Sequence, residues 1–356
     1  MIGIHFLRIF DAGKEIDLTA LAPQLDRTIA TSRTGFQQVM PKSIAVEETP
    51  LQFRMHPFEL RYGDSIFDFS VVARIYSIGA ISLCFIFQEP ESGFGRLEEI
   101  GLSFSGQKGL GDHFTAYSRK LQEIVRDHIP DFTIDIELFE DYTIYLIDRL
   151  EKSVDPSVLL NGERVELSAQ MREEINRNTL RYSESDIAII TWDSALLCSQ
   201  EPPNDLLDLI EYANVQVLEL RYYDRQITRL MARMYEDIGQ AGRLNWWSRM
   251  QRYRIIMTDL MKSHAEVSEI TEKVKNLIKV TEDVYYARVY ATALRVIRSD
   301  QWTESLHRKI EVMRENYSML ADEVRNQHSN FLEWVIIILI AMEFVLGIWQ
   351  SFQIAR

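Results

Sequence analysis

The stretch that decides the fold is Ile66–Phe87, IFDFSVVARIYSIGAISLCFIF. β-Branched and aromatic residues fill it, which is typical of strands packed on a pleated surface. The pair Gly79-Ala80 interrupts the run, so we expect two antiparallel strands joined by a turn or bulge at this point. The run therefore indicates a sheet rather than a helical bundle.

Further strands are expected outward from this run, beginning at the N-terminus. The segments FTIDIEL (132–138) and TIYLI (143–147) predict two strands within hairpin distance. The segment DIAIITWDSALLCS (186–199) predicts two short strands around a turn at Trp192-Asp193-Ser194, where Asp193 is interpreted as a turn residue. With helical patterns between the strands, residues 1–200 are predicted to form an α+β domain with a mainly antiparallel or mixed sheet.

The apolar period changes after Glu201-Pro202-Pro203. From Asn204, a good N-cap, apolar residues recur every three or four positions, and Gly239 and Gly242 are expected to end this first long helix. Further helical runs, one of them over about 256–277, continue to residue 330. Because heptad spacing is sustained, we predict a coiled-coil-like helical domain over 205–330, with helices nearly parallel to each other or to neighbouring subunits.

The apolar run 331–352 predicts a membrane anchor at the end of the chain. Its 22 residues, at about 1.5 Å each, are long enough for the ~30 Å hydrocarbon core. Trp334 and Trp349 lie near its ends, as in an aromatic belt. A buried core helix is the alternative, since Glu333 and Glu343 lie within the run. The sequence favours a single-pass, tail-anchored protein of the inner membrane with its N-terminal bulk in the cytoplasm.

Glu343 is the polar group that stands out within this run. Desolvation favours a neutral carboxyl, which is able to donate to a neighbouring helix. Gly347, one turn later on the same face, would let helices approach closely. We therefore expect Glu343 and Gly347 at a subunit interface of a homo-oligomer.

Composition and charge exclude several classes of function. The balance of 39 basic and 53 acidic residues gives a net charge of −14, so the chain is a poor general binder of nucleic acid. Cys84 and Cys198 lie in apolar runs, which argues against a disulfide scaffold. The histidines are scattered, and GQKGLG (106–111) lacks the ending of a phosphate-binding loop. No enzyme, metal or cofactor is predicted.

A row of arginines forms a second notable feature. Arg221, Arg225, Arg229 and Arg233 are spaced by four and share one helix face. Because like charges at this spacing repel, something of opposite charge is expected to face them. The alternatives are an acidic protein surface of the same or a neighbouring subunit, and RNA or anionic headgroups.

The helix EYANVQVLELRYYD (211–224) resembles the signature helix of the family named for "required for meiotic nuclear division". The resemblance extends to Trp192-Asp193, to VTEDVYYARVY (280–290), and to LEWVIIILI (332–340) followed by Glu343. It implies a homo-oligomeric inner-membrane protein that supports translation of organelle-encoded messages, with no established catalytic residues. The single positions that it marks are Trp192, Asp193, Asn214, Glu219, Arg221 and Asp224.

The expected function is therefore a non-enzymatic, tail-anchored homo-oligomer that scaffolds or tethers an unidentified protein partner at the membrane. The layout also resembles magnesium channels of the CorA type, so an ion-conducting oligomer with Glu343 facing its axis is one alternative. An adaptor that contacts RNA or the ribosome through the arginine row is the other.

Overall fold

The computed structural model describes residues 1–13, 15–25, 31–33, 49–151, 153–183, 185–241, 248, 251–256, 258, 261–262, 265 and 283–354. The chain divides into two units. The first contains Met1–Tyr222 and Glu272–Thr303, and the second contains Tyr223–Thr271 and Glu304–Arg356. The predicted division of the chain into residues 1–200, 205–330 and 331–352 remains a prediction, apart from the membrane anchor expected for the last range.

The strands of the described residues form one mixed sheet in the first unit. Its order is β2-β3-β4-β5-β1-β6-β9-β8-β7, and every neighbouring pair is antiparallel except β6 and β9. The predicted α+β class with a mixed sheet is confirmed. The strands are β1 (Ile2–Asp11), β2 (Thr31–Arg33), β3 (Leu51–Tyr62), β4 (Ser65–Ile75), β5 (Ala80–Glu89), β6 (Asp135–Ile147), β7 (Thr179–Arg181), β8 (Ile187–Ile190) and β9 (Ser194–Cys198).

The run Ile66–Phe87 forms the antiparallel pair β4 and β5. Gly79 lies in the turn with φ of +96°, a conformation that glycine adopts without steric cost. The Tyr76 amide donates to the Ala80 carbonyl at 2.9 Å, which closes the turn. Two apolar strands joined by a glycine turn were expected here.

A single long strand replaces the hairpin that was predicted over 132–147. Strand β6 runs without a turn because its acidic middle stays paired with β1. Asp141 lies opposite Arg8, and Glu140 lies opposite Ile9. The cross-strand partner, which is more than a hundred residues away in sequence, keeps this polar segment extended.

Helices cover both faces of the sheet in the first unit. Ile4 and Phe6 of β1 belong to one core, and Leu7 and Ile9 belong to the other, as expected for a central strand whose side chains alternate. The first core includes residues of α1 to α5, and the second includes residues of α6 and α7. The helices are α1 (Leu18–Leu25), α2 (Phe94–Ser103), α3 (Gly111–Arg126), α4 (Ser157–Asn161), α5 (Ala169–Asn176), α6 (Asn204–Ala241), α7 (Val284–Val296) and α8 (Ser299–Ile354).

The first part of α6 is a central helix of the first unit. It begins at Asn204, and every residue from Leu209 to Leu220 is buried. A helix that is buried on all sides has neighbours on all sides. Its polar residues in this stretch, Asn214 and Glu219 among them, are therefore enclosed by the fold.

In the second unit, the later part of α6 runs beside α8. Asp224 accepts from Lys309 Nζ at 2.6 Å and from Ser305 at 2.9 Å, while the Tyr235 hydroxyl accepts from Asn316 at 3.2 Å. The contacts advance in the same direction along both helices, so these two segments are parallel. The helical run predicted over 256–277 lies almost entirely outside the described residues.

Helix α8 carries the run 331–352, for which a membrane anchor was predicted. That prediction is wrong: among the described residues, no helix has both the length and the apolarity that crossing a membrane requires. The two carboxylates of Glu333 and Glu343 interrupt the apolar run. The predicted transmembrane helix and the single-pass inner-membrane location are corrected accordingly.

Candidate functional site

The turn between β8 and β9 places Trp192 and Asp193 at the mouth of a cavity. The Thr191 amide donates to the Ser194 carbonyl at 2.8 Å and closes the turn. The buried hydroxyl of Tyr142, on β6, donates to the carbonyls of Thr191 and Ser194 at 2.9 and 2.7 Å. Tyr142 therefore attaches the turn to the sheet, and this attachment fixes the positions of Trp192 and Asp193.

The cavity has a volume of about 230 Å³ and a mostly polar lining. Strand β6, the loop after α2, helix α4 and the β8–β9 turn contribute to it. Its polar lining side chains include Ser105, Asp141, Thr143, Tyr145, Asp193 and Ser194. The cavity is smaller and more polar than most ligand pockets, and its convergent polar groups are of the kind that fix the orientation of a bound molecule.

The loop that follows α2 is held by buried polar contacts. Gln107, with φ of +55°, donates from Nε2 to the Leu7 carbonyl at 2.8 Å and accepts from Arg8 Nη2 at 3.1 Å. The Arg8 guanidinium lies 4.6 Å from the ring centre of Phe114 and 4.5 Å from that of Phe139. These cation–π contacts, which are worth about 0.5–2 kcal/mol each, fix this wall of the cavity.

Tyr145 is an enclosed polar residue of the lining. Its side chain is 3% exposed, and its hydroxyl makes no hydrogen bond with any residue that the structure describes. Burial and the nearby Asp193 raise the pKa of Tyr145, so the phenol keeps its proton. Partial burial, with Asp141 as a weaker contribution, raises the pKa of Asp193.

A second cavity of about 350 Å³ lies where α6 and α7 begin, within the first unit. Tyrosines and acidic residues share its lining, including Tyr182, Tyr285, Tyr286, Asp186, Glu201 and Asp283. The Asp283 carboxylate accepts from the amides of Tyr285 and Tyr286 and so caps α7. Asp186 accepts from the Ser199 and Ser183 hydroxyls. Hydrogen bonds within the fold therefore explain the positions of Asp283 and Asp186 without a ligand.

A buried ion cluster joins α6 to the sheet. Arg74 Nη1, on β4, lies 2.7 Å from Asp208 and 2.5 Å from Glu211, and Arg74 Nε donates to Gln52 at 2.8 Å. The Tyr76 hydroxyl donates to Glu211 at 2.9 Å. The carboxylates raise the pKa of Arg74 above its usual value despite burial, so the guanidinium stays charged.

Burial raises the pKa of Asp208 to about 6 in this cluster, and repulsion from Glu211 adds to the effect against the attraction of Arg74. Burial, reinforced by Arg74, lowers the pKa of His5 to about 4, so this histidine is neutral at pH 7. The sequence contains a signal for this cluster. Arg74 interrupts an apolar strand, and Asp208 and Glu211 are three residues apart on an apolar helix.

The arginine row does not form one continuous surface. Arg221 forms an ion pair with Glu140, donates to the Phe139 carbonyl at 3.3 Å and lies over the Trp302 ring at 5.9 Å. Arg225 is half-buried, and Arg229 and Arg233 are exposed. For Arg221, the acidic partner that was expected to face the row is Glu140 of the same chain.

The other positions that the family resemblance marks lie within the fold, away from the cavity lining. Asn214 donates to the Ile210 carbonyl at 2.9 Å, Glu219 is buried, and Asp224 pairs with Lys309. Of the positions that the resemblance marks, Trp192 and Asp193 line the cavity beside the β8–β9 turn. Sequence reasoning missed the cavity residues Ser105, Asp141 and Tyr145, because they lie in separate segments with no shared motif.

The C-terminal positions lie together on α8. Trp334 and Glu343 are exposed, and a Cβ atom at Gly347 would meet no neighbouring atom within 4 Å. The side chain of Trp349 is outside the part that the structure describes. No group of three or more metal-binding side chains occurs among the described residues.

Comparison with known proteins corrects the family resemblance. The profile of the family described as "Uncharacterized protein MJ0711, N-terminal domain" matches residues 1–204, and no finding supports the meiotic nuclear division family. Charged residues of the helical motif 211–224 have structural roles in this fold, since Glu211 pairs with Arg74 and Arg221 pairs with Glu140. Within the motif 280–290, residues 280–282 lie outside the described part.

The chain is also similar to the uncharacterized protein MJ0711 of Methanocaldococcus jannaschii. The two sequences are 22% identical over 223 residues, which cover 60% of this chain and 67% of the relative. No solved structure matches the chain. The family match spans more than half of the chain and includes every strand of the described sheet. This chain therefore belongs to the family of the N-terminal domain of the uncharacterized protein MJ0711.

Proposed function

We propose that this protein is a homo-oligomeric scaffold, without catalytic activity of its own, whose copies associate through an apolar segment of α8. The observation that carries the proposal is the exposure of this segment. Its large side chains are between 53% and 65% exposed. We call Trp334, Ile336, Ile337, Ile338, Leu339, Ile340 and Met342 the α8 apolar segment.

The α8 apolar segment exposes apolar surface around the whole helix. Five consecutive positions, 336–340, cover more than one turn of about 3.6 residues. A helix that is apolar on all sides is stable when other helices surround it, as in a bundle. Because full burial of one such side chain contributes about 1.5–3 kcal/mol, association of several copies has a large driving force.

Charged residues flank the α8 apolar segment on both sides. Glu333 precedes it and Glu343 follows it, and both side chains are exposed. An apolar centre with a charged rim is the usual composition of a protein–protein interface. Identical copies supply the same apolar surface to each other, and closed symmetric assemblies of one chain are the common outcome. These features support self-association as the function of the segment.

Sedimentation velocity of the full chain over a range of concentrations tests the proposal. We expect wild type to sediment as an oligomer, and the variant Ile337→Glu/Ile340→Glu to sediment as a monomer with unchanged helical circular dichroism. Val165→Glu is the matched control, because Val165 is an exposed apolar residue in the first unit. A monomeric wild type, or equal loss of the oligomer in the control, would contradict the proposal.

Two exposed arginines of the row favour a second candidate, an adaptor that contacts RNA. Arg229 and Arg233 are exposed on α6. If they bind phosphates, the affinity for single-stranded RNA falls with salt, and Arg229→Glu/Arg233→Glu lowers it at low salt. A variant with the affinity of wild type excludes this role for the two residues.

A further inference from the structure

The cavity beside the β8–β9 turn has an acidic lining whose hydrogen bonds within the chain are long: the Asp193 carboxylate accepts from the Thr191 and Ser194 hydroxyls, both at 3.4 Å. Two carboxylates, Asp141 and Asp193, line it, and no lysine or arginine does. Asp141 accepts no hydrogen bond from any residue in the described part of the chain. Arg8 acts on Asp141 electrostatically but is not a lining residue. The lining therefore carries a negative charge that faces the cavity.

The Tyr145 hydroxyl is an independent sign of a missing partner. It is enclosed by the fold, it belongs to the lining, and no described residue bonds to it. The hydroxyl oxygen is not among the fully buried unbonded atoms of the fold, so it keeps contact with the space of the cavity. A group that donates an N–H bond into the cavity can bind there, because a phenol oxygen accepts such a bond.

Trp192 supplies an aromatic surface at the same place. Its side chain is 67% exposed although it lies on a turn that Tyr142 clamps to the sheet. An indole face attracts a cation through its quadrupole more strongly than a phenyl or phenol ring does. The clamp positions both Trp192 and the adjacent Asp193 before any ligand binds, which lowers the entropic cost of binding.

We propose that this cavity binds a small organic cation, whose ammonium group lies between the carboxylates of Asp141 and Asp193, the hydroxyl of Tyr145 and the indole of Trp192. The site shares no residue with the α8 apolar segment, and the proposal does not depend on self-association. A cation in the cavity favours the ionised form of Asp193, and partial burial has the opposite effect on its pKa. Ligand binding and ionisation of Asp193 are thus mutually reinforcing.

Isothermal titration calorimetry of the full chain with putrescine, 1,4-diaminobutane, tests the proposal. The matched neutral compound is 1,4-butanediol, which has the same carbon chain and hydroxyls in place of the amines. We expect saturable binding of putrescine and none of the diol. Absence of putrescine binding overturns the proposal, and equal binding of both compounds replaces the cation site with a site for neutral polyols.

Variants of the lining residues, with one control variant, assign the binding to this cavity. Asp193→Asn removes a charge-assisted hydrogen bond and should weaken putrescine binding about tenfold or more, and Tyr145→Phe should weaken it severalfold. Asp64→Asn is the control, since Asp64 is an exposed carboxylate in the β3–β4 turn, and it should bind as wild type does. Asp141→Asn replaces Asp193→Asn if the latter loses its cooperative thermal unfolding. Equal weakening by Asp64→Asn and Asp193→Asn would show attraction to net charge alone and overturn the assignment.

Discussion

Arg74 is the residue on which the contact between β4 and α6 depends. It binds two carboxylates of α6 from inside the fold. We expect Arg74→Met to lower the free energy of unfolding by about 3–5 kcal/mol, because removing one partner leaves buried charges uncompensated. Urea unfolding measures the change. Arg54→Met on the exposed side of β3 is the control, and a similar effect of both variants would contradict the role of Arg74.

Asp208 should make stability depend on pH. Its pKa in the folded chain is about 6, above the value of about 3.9 for an unfolded aspartate. The folded state therefore binds this proton more tightly than the unfolded state does. The stabilisation from this group is fully present below pH of about 4, and it is lost as the pH rises through about 6.

The variant Asp208→Asn lacks this proton and isolates its effect. We expect its stability at pH 7 to equal or exceed that of wild type, because the neutral amide still accepts from Arg74 without the cost of a second buried carboxylate. As the pH falls from 7 to 4, wild type should gain stability relative to the variant, as measured by urea unfolding at each pH. A constant difference over this range would show that Asp208 does not titrate there.

At the scale of elements, Asp224 and Lys309 join the parallel segments of α6 and α8. Both side chains are mostly buried and lie 2.6 Å apart. A double-mutant cycle with Asp224→Asn and Lys309→Met should give a coupling of about 1 kcal/mol. The exposed pair Glu304–Arg308, four residues apart on α8, should give no more than about 0.5 kcal/mol. Equal couplings would mean that burial adds nothing to the interhelical pair.

At the scale of the whole molecule, self-association should make thermal stability depend on protein concentration. Because an oligomer forms only from folded chains, the midpoint of thermal unfolding rises with concentration. We expect this rise for wild type and not for Ile337→Glu/Ile340→Glu, as followed by circular dichroism. An equal rise for both proteins would place the association surface elsewhere.

The sequence by itself determined the features that depend on neighbours along the chain. The apolar run interrupted at Gly79 predicted β4 and β5, and Trp192-Asp193-Ser194 predicted the turn between β8 and β9. The change of period predicted the start of α6 at Asn204. Backbone preferences and side-chain alternation act over a few residues, so a local pattern contains what these elements require.

The tertiary structure alone decided the features that depend on distant partners. Arg74 meets Glu211, which is 137 residues away, and β6 continues through its acidic middle because β1 pairs with it. Tyr145 and Asp193 reach one cavity because β6 and β9 are parallel neighbours. The apolarity of 331–352 was visible in the sequence, but its environment was not. A local pattern specifies which surface a residue presents, whereas the fold specifies what lies against that surface.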